Sequence, residues 1–135
     1  MYLKLLCLLP LLGCLTAVGQ QPALSSGTLR RFEQFTSRFV DSRTVDVWLP
    51  DGYDSLKKYA VLYMHDGQML FDAATTWNKQ EWGVDETLGR LQAENKIRNC
   101  IVVGIWNNAP KRHTEYFPQK PYEALSKSQR KALLQ

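Results

Sequence analysis

Cysteine is scarce in the part of this chain that would fold. Two of its three cysteines, Cys7 and Cys14, lie near the N-terminus, which leaves Cys100 by itself. No intramolecular disulfide is therefore expected in the mature protein. Cys100 opens the apolar run Cys-Ile-Val-Val-Gly-Ile and reads as a small buried hydrophobe rather than a nucleophile. Metal-binding spacings are missing too. His65, Asp66, Asp72 and His113 are of types that suit zinc, but no His-x-x-x-His or Cys-x-x-Cys is present, so neither metal nor cofactor is expected. Charge of one sign is not concentrated anywhere. The net charge of +4 comes from scattered pairs such as Arg30-Arg31 and Lys57-Lys58, which excludes a polyanion-binding tail and argues against nucleic acid as a partner. No apolar run is long enough to span a bilayer as a helix.

The N-terminus carries an export pattern instead. One lysine in Met1 to Lys4 precedes the apolar Leu5 to Leu12, and Ala17-Val18-Gly19 satisfies the small-x-small rule for cleavage before Gln20. Residues 1–19 are thus expected to be a signal peptide, and residues 20–135 the folded portion. Leu11-Leu12-Gly13-Cys14 also resembles a lipobox, which would place a lipid anchor on Cys14; simple cleavage is favoured. Either route gives a periplasmic or secreted protein. Residues 20 to 28 read as a flexible leader.

Hydrophobic period then assigns the elements. Arg30 to Phe39 alternates imperfectly around Phe32, Phe35 and Phe39. Thr44 to Leu49 alternates clearly and stops at Pro50, as a strand with one polar face should. Asp41-Ser42-Arg43 between them suggests a hairpin turn. Tyr59 to Met64 and Cys100 to Trp106 are apolar at consecutive positions, the pattern of strands buried on both faces. Between them, Trp82, Val84 or Asp85, Leu88 and Leu91 recur near helical spacing within Glu81 to Asn95. A strand, a helix and a strand make a parallel crossover. The expected class is α/β, with antiparallel edge strands followed by a β-α-β unit. Ser126 is a candidate N-cap for a last helix. The chain stops within that helix and leaves one side of the parallel sheet open, so an N-terminal portion of a longer domain is expected. That open edge is expected beside the Cys100 strand.

Two polar loops should share one sheet edge. His65-Asp66-Gly67-Gln68 and Trp106-Asn107-Asn108 each follow the carboxyl end of a parallel strand, where open sheets bind ligands. Gly67 permits a sharp turn that leaves backbone N–H groups free for an oxyanion, although Asp-Gly is also ordinary turn chemistry. Val61 to Gln68 resembles the third strand and following loop of an esterase branch of the α/β-hydrolases. That branch includes siderophore esterases, feruloyl-esterase-like enzymes and mycolyltransferase-like proteins. Ser42 to Tyr53 is similar to its first conserved strand, Trp77 to Leu88 to the segment after the oxyanion loop, and Val103 to Asn107 with Arg112, Glu115, Tyr116 and Pro118 to a later motif. The resemblance covers about residues 35 to 122. It implies that the backbone N–H of Gln68 is half of an oxyanion hole, with no need of the Gln68 side chain, and that Asp66 shapes the loop or touches substrate. It further implies that Trp106 and Asn107 line the crevice, and that Arg112 and Glu115 form a charged pair at its mouth.

The chemistry it implies is incomplete in these residues. None of the seven serines lies in Gly-x-Ser-x-Gly, and neither His65 nor His113 stands where the family's triad histidine would. An oxyanion hole without nucleophile and base cannot run acyl transfer, so the chain as given is expected to be catalytically silent. The first reading is an exported serine esterase acting on a small-molecule or carbohydrate ester. The alternative is a non-catalytic secreted module that presents Trp77, Trp82 and Trp106 to a carbohydrate or a protein partner.

Overall fold

The computed structural model describes residues 21–133. The signal peptide over residues 1–19 and the lipobox at Cys14 that the sequence leads one to expect lie outside these residues. Four strands form one mixed sheet: β1 (Thr28–Phe35), β2 (Arg43–Leu49), β3 (Ala60–His65) and β4 (Cys100–Ile105), in the order β1-β2-β4-β3. β1 and β2 make the expected antiparallel hairpin, and β2 pairs antiparallel with β4. β3 and β4 run parallel with Ala60 opposite Cys100 and His65 opposite Ile105. Helix α1 (Val84–Ala93) crosses between them. Three short helices follow β4: α2 (Arg112–Tyr116), α3 (Gln119–Ala124) and α4 (Lys127–Leu133). The α/β class and the β-α-β unit are as expected. No helix among the described residues is long and apolar enough to cross a membrane.

Local chemistry explains the boundaries. α1 begins with Asp85 and Glu86 in its first turn, where the helix dipole favours anions. It ends in a Schellman motif: the Lys96 N–H donates to the Leu91 carbonyl and the Asn95 N–H to that of Gln92, with Asn95 at φ 55°. α4 begins with a capping box, in which Gln129 Oε1 accepts the Ser126 N–H and Ser126 Oγ accepts the Gln129 N–H. β1 ends earlier than its periodicity suggests. The register shifts between Phe32 and Phe35, Gln34 takes φ 56°, and Phe39 lies exposed in the turn rather than anchored.

The core gathers Trp48, Leu70, Phe71, Val84 and Val102, with Leu24, Leu29, Met64 and Leu88 packed against it. Two expectations need correction here. β3 is not buried on both faces: Tyr63 is 70% exposed, and Val61 and Leu62 are exposed as well. Nor is the open edge at the Cys100 strand. β4 is flanked by β2 and β3, and β3 is the outer strand. An unbroken apolar run marks a strand as hydrophobic but does not say which neighbour covers it.

The leader is a third correction, because residues 23 to 27 are docked rather than flexible. Asp72 accepts the Ala23 N–H, and Asp85 accepts the N–H groups of Ser25 and Ser26. Asp51 accepts the Gly27 N–H, and the indole of Trp48 donates to the Ser26 carbonyl. Five backbone groups of a polar segment thereby find carboxylates or a ring donor supplied by β2, α1 and two loops distant in sequence. Gly27 is required in this strap: at φ +75°, a Cβ would lie 2.4 Å from the Leu49 carbonyl oxygen and 2.5 Å from the Trp48 indole nitrogen.

Candidate active site

β3 ends at His65, and Asp66 then takes the left-handed conformation, φ 54° and ψ 44°. A single 3-10 turn, Gly67–Met69, follows and is closed by the Met69 N–H donating to the Asp66 carbonyl. A non-glycine residue at positive φ is costly unless its surroundings hold it there. Asp66 is held on every side. Arg112 donates from Nε to Oδ1 at 2.9 Å and from Nη2 to Oδ2 at 2.6 Å, and Asn107 Nδ2 donates to Oδ1 at 2.7 Å. The Asp66 N–H reaches the Tyr116 hydroxyl at 3.4 Å. The Arg112 guanidinium beside the buried carboxylate, aided by Asn107, outweighs desolvation and brings the Asp66 pKa down to about 2. Asp66 is thus an anion throughout the neutral range and cannot act as a general acid there.

The second loop meets the first as the strand register requires. Asn107, just past the end of β4, donates its backbone N–H to Gln68 Oε1 at 3.2 Å. The Gln68 side chain therefore has a role that the sequence reading did not give it: it ties the two loops together. No partner for the Gln68 backbone N–H is found among the described residues. Gly67 permits the close approach of the loops. A Cβ there would lie 2.6 Å from the Gly104 carbonyl carbon and oxygen and 2.8 Å from Trp106 Cδ1.

Asp66, Gln68, Asn107 and Arg112 line one cleft of about 450 Å³, closed on its apolar side by Met69, Trp77, Trp82 and Ala109. Trp77 is 86% exposed and Trp82 53% exposed, so neither is a core residue. Two sequence-predicted site residues lie elsewhere. Trp106 does not line this cleft; its indole turns beneath the loop and donates to Asp46 Oδ2 at 2.8 Å. Glu115 does not pair with Arg112. It accepts both terminal nitrogens of Arg43, at 2.9 and 3.0 Å, and ties α2 to β2. The partner of Arg112 is Asp66, and its guanidinium stacks 5.1 Å over Tyr116. The His65 ring also packs on Tyr116, at 5.1 Å between centroids. Among the described residues, no group of three or more metal-ligating side chains is assembled.

The family model described as "Putative esterase" matches residues 36–132. The chain belongs to this esterase family. Its fold is also similar to that of a CE1 ferulic acid esterase from Anaeromyces mucronatus solved with ferulic acid, at 24% identity, over 78% of this chain and 39% of that one, with a TM-score of 0.47. The substrate-free structure of that enzyme matches over the same shares with a TM-score of 0.48. A structure of FAE matches at 22% identity over 75% of this chain and 36% of its own, with a TM-score of 0.43. The chain of this esterase-family member therefore spans well under half the length of the solved structures it matches. No curated protein matches it.

Within this esterase-family chain, the interactions around Asp66 were only partly foreseeable. Asp66, Asn107 and Arg112 stand out as polar residues after strands or within a family motif. Arg31 and Asp46 carry no such signal apart from their positions on alternating strands. They are nevertheless the residues that hold Trp106.

Proposed function

We propose that this chain carries the oxyanion side of a carboxylic-ester hydrolase site, exported from the cytoplasm by residues 1–19. The observation that carries this reading is the convergence of Gln68, Asp66, Asn107 and Arg112 on one cleft at the carboxyl ends of β3 and β4. In acyl transfer the ester carbonyl becomes a tetrahedral oxyanion, and preorganised N–H donors stabilise it. The Gln68 N–H is such a donor, on a turn that Asp66 holds from one side and Asn107 from the other. Arg112 neutralises Asp66, so the loop does not present an uncompensated negative charge to a developing anion. Met69, Trp77 and Trp82 would receive the apolar part of the ester.

The nucleophilic serine, acid and base are not among these residues, and the 135-residue chain is expected to be silent against p-nitrophenyl acetate. A chain continued through a Gly-x-Ser-x-Gly segment should hydrolyse it. Replacing the Gln68 amide by an ester linkage, which removes one N–H, should then lower kcat by about 10²–10³. An unchanged kcat would refute the assignment.

The exposure of Trp77 and Trp82 favours a second reading, a binding module for neutral oligosaccharides. It requires that the 135-residue chain itself bind a soluble oligosaccharide such as xylotetraose, and that Trp77→Ala abolish that binding. Titration calorimetry decides between the two. Trp106 does not join this aromatic set, because its indole is engaged with Asp46.

A further inference from the structure

A largely buried polar unit lies beneath the Gly67–Gln68 peptide, outside the cleft. Arg31 and Asp46 face each other across β1 and β2. Asp46 is 1% exposed, and both its oxygens are engaged: Arg31 Nε donates to Oδ1 at 2.8 Å, Arg31 Nη2 to Oδ2 at 2.9 Å, and Trp106 Nε1 to Oδ2 at 2.8 Å. The same guanidinium lies 4.8 Å over the Trp106 ring. The indole is therefore fixed both edge-on and face-on. Its Cδ1, the carbon bonded to Nε1, is the atom that a Gly67 Cβ would meet at 2.8 Å. The edge clamped by Asp46 is thus the edge on which Gly67 rests. One peptide bond further on is the Gln68 nitrogen.

We infer that Arg31, Asp46 and Trp106 are positioning residues that set the height and direction of the Gln68 N–H; the catalytic consequence rests on the esterase reading, the geometry does not. Two arguments favour orientation over mere stability. A buried ion pair adds little net stability compared with apolar groups of the same volume, because desolvation offsets its attraction. A bidentate arginine–carboxylate pair does supply a fixed plane and direction. Asn107 holds the Gln68 side chain, its N–H donating to Oε1 at 3.2 Å, while the Trp106 ring bears on the Gly67 end of the Gly67–Gln68 peptide, so tilting the ring would re-aim the Gln68 N–H.

The test uses the 135-residue chain and needs no turnover. Trp106→Phe keeps an aromatic ring at this position but removes the Nε1–H donor together with the Cδ1–Nε1 edge on which Gly67 rests. Asp46→Asn keeps an acceptor and removes the charge. The backbone amide of Gln68 is followed by its ¹H–¹⁵N shift, with the amides of α1 as internal references. The expected result is a shifted Gln68 amide in Asp46→Asn, where the indole itself is kept, and in Trp106→Phe, while the reference amides stay put. A Gln68 amide unchanged in both variants would overturn the inference. So would an equal change at every amide, which would show global destabilisation only. In a chain continued through the nucleophile segment, Trp106→Phe should lower kcat and leave KM unaltered; a loss confined to KM would also overturn it. A continued chain that hydrolyses no ester would count against the esterase reading, while the amide measurement would still decide the positioning role.

Discussion

Gly67→Ala separates two opposing physical effects at the centre of the site. Gly67 does not occupy the left-handed region, so alanine is permitted there by its dihedral angles. On conformational entropy alone, the substitution would stabilise the fold by about 0.4–1 kcal/mol through the unfolded chain. Packing says the reverse. The new methyl would lie 2.6 Å from the Gly104 carbonyl carbon and oxygen and 2.8 Å from Trp106 Cδ1. Ordinary carbon contacts are about 3.5–4.0 Å, so the loop must move away by roughly 1 Å. Two of the three neighbouring atoms are backbone of β4, the strand held on both sides by β2 and β3, and cannot swing aside. The third is an indole hydrogen-bonded to Asp46. Overpacking of a site that cannot relax costs about 1–3 kcal/mol, which exceeds the entropic gain. The net expectation is a loss of about 1–2 kcal/mol, read as a thermal midpoint lower by roughly 4–8 °C for a domain of this size. Urea unfolding followed by tryptophan fluorescence measures the same loss at constant temperature. A midpoint that stays the same or rises would show that the loop is not seated on Gly104 and Trp106, and the positioning argument would fall with it.

Three other outcomes follow from the same contacts. Asp46→Ala removes the carboxylate that accepts from both Arg31 and the Trp106 indole, and should destabilise by up to about 3–5 kcal/mol; replacing both Arg31 and Asp46 by apolar residues should recover much of that, and a denaturation series in which the double variant is no better than the single would contradict it. The Asp66 carboxyl, followed by ¹³C NMR, should titrate at about 2, and in Arg112→Met it should move up toward its ordinary 3.8. Because its folded-state pKa is depressed, its contribution to stability is complete above pH 3.8 and is lost as the pH falls toward 2; a normal titration in the intact protein would refute the bidentate pair. Cys100 is buried, and burial pushes its thiol pKa up, so a disulfide reagent should label it far more slowly in the folded protein than in guanidinium; equal rates would place the thiol at the surface.

What the sequence made legible was local. The alternation of Thr44 to Leu49, the helical spacing through Leu88 and Leu91, and the Ser126 cap each depend on neighbours a few residues away, and each appears where expected. The convergence of the loops after β3 and β4 was legible too, because a parallel pair brings its carboxyl ends together whatever the side chains. Choices among partners were not. Arg112 had Glu115 three residues away, yet it pairs with Asp66, 46 residues distant. The reason is that Arg43 on β2 holds both oxygens of Glu115. Trp106 follows a strand and is aromatic, so a crevice role was natural; the buried acceptor on β2 draws it beneath the loop instead. The docked leader was hidden for a similar reason. Its partners Asp51, Asp72 and Asp85 are scattered in sequence and meet only once β2 and α1 are in place.

The register of the sheet makes this half of the site self-contained. His65 lies opposite Ile105, so Asp66 and Gly67 emerge level with Trp106 and Asn107. The bonds from Asn107 to Asp66 and to Gln68 follow directly from that level exit. β2 lies on the other side of β4 and extends the ladder one step further, with the Trp106 N–H donating to the Thr44 carbonyl. The same strand supplies Asp46 beneath Trp106. The Gln68 N–H is therefore braced through β4 and β2 and, by way of Asp66, through Arg112 and Tyr116 of α2, and not through the outer flank of β3, where no strand pairs among the described residues. A donor braced on that side keeps its direction whatever covers β3. This is the arrangement an oxyanion donor needs, since its value lies in being aimed before the charge forms.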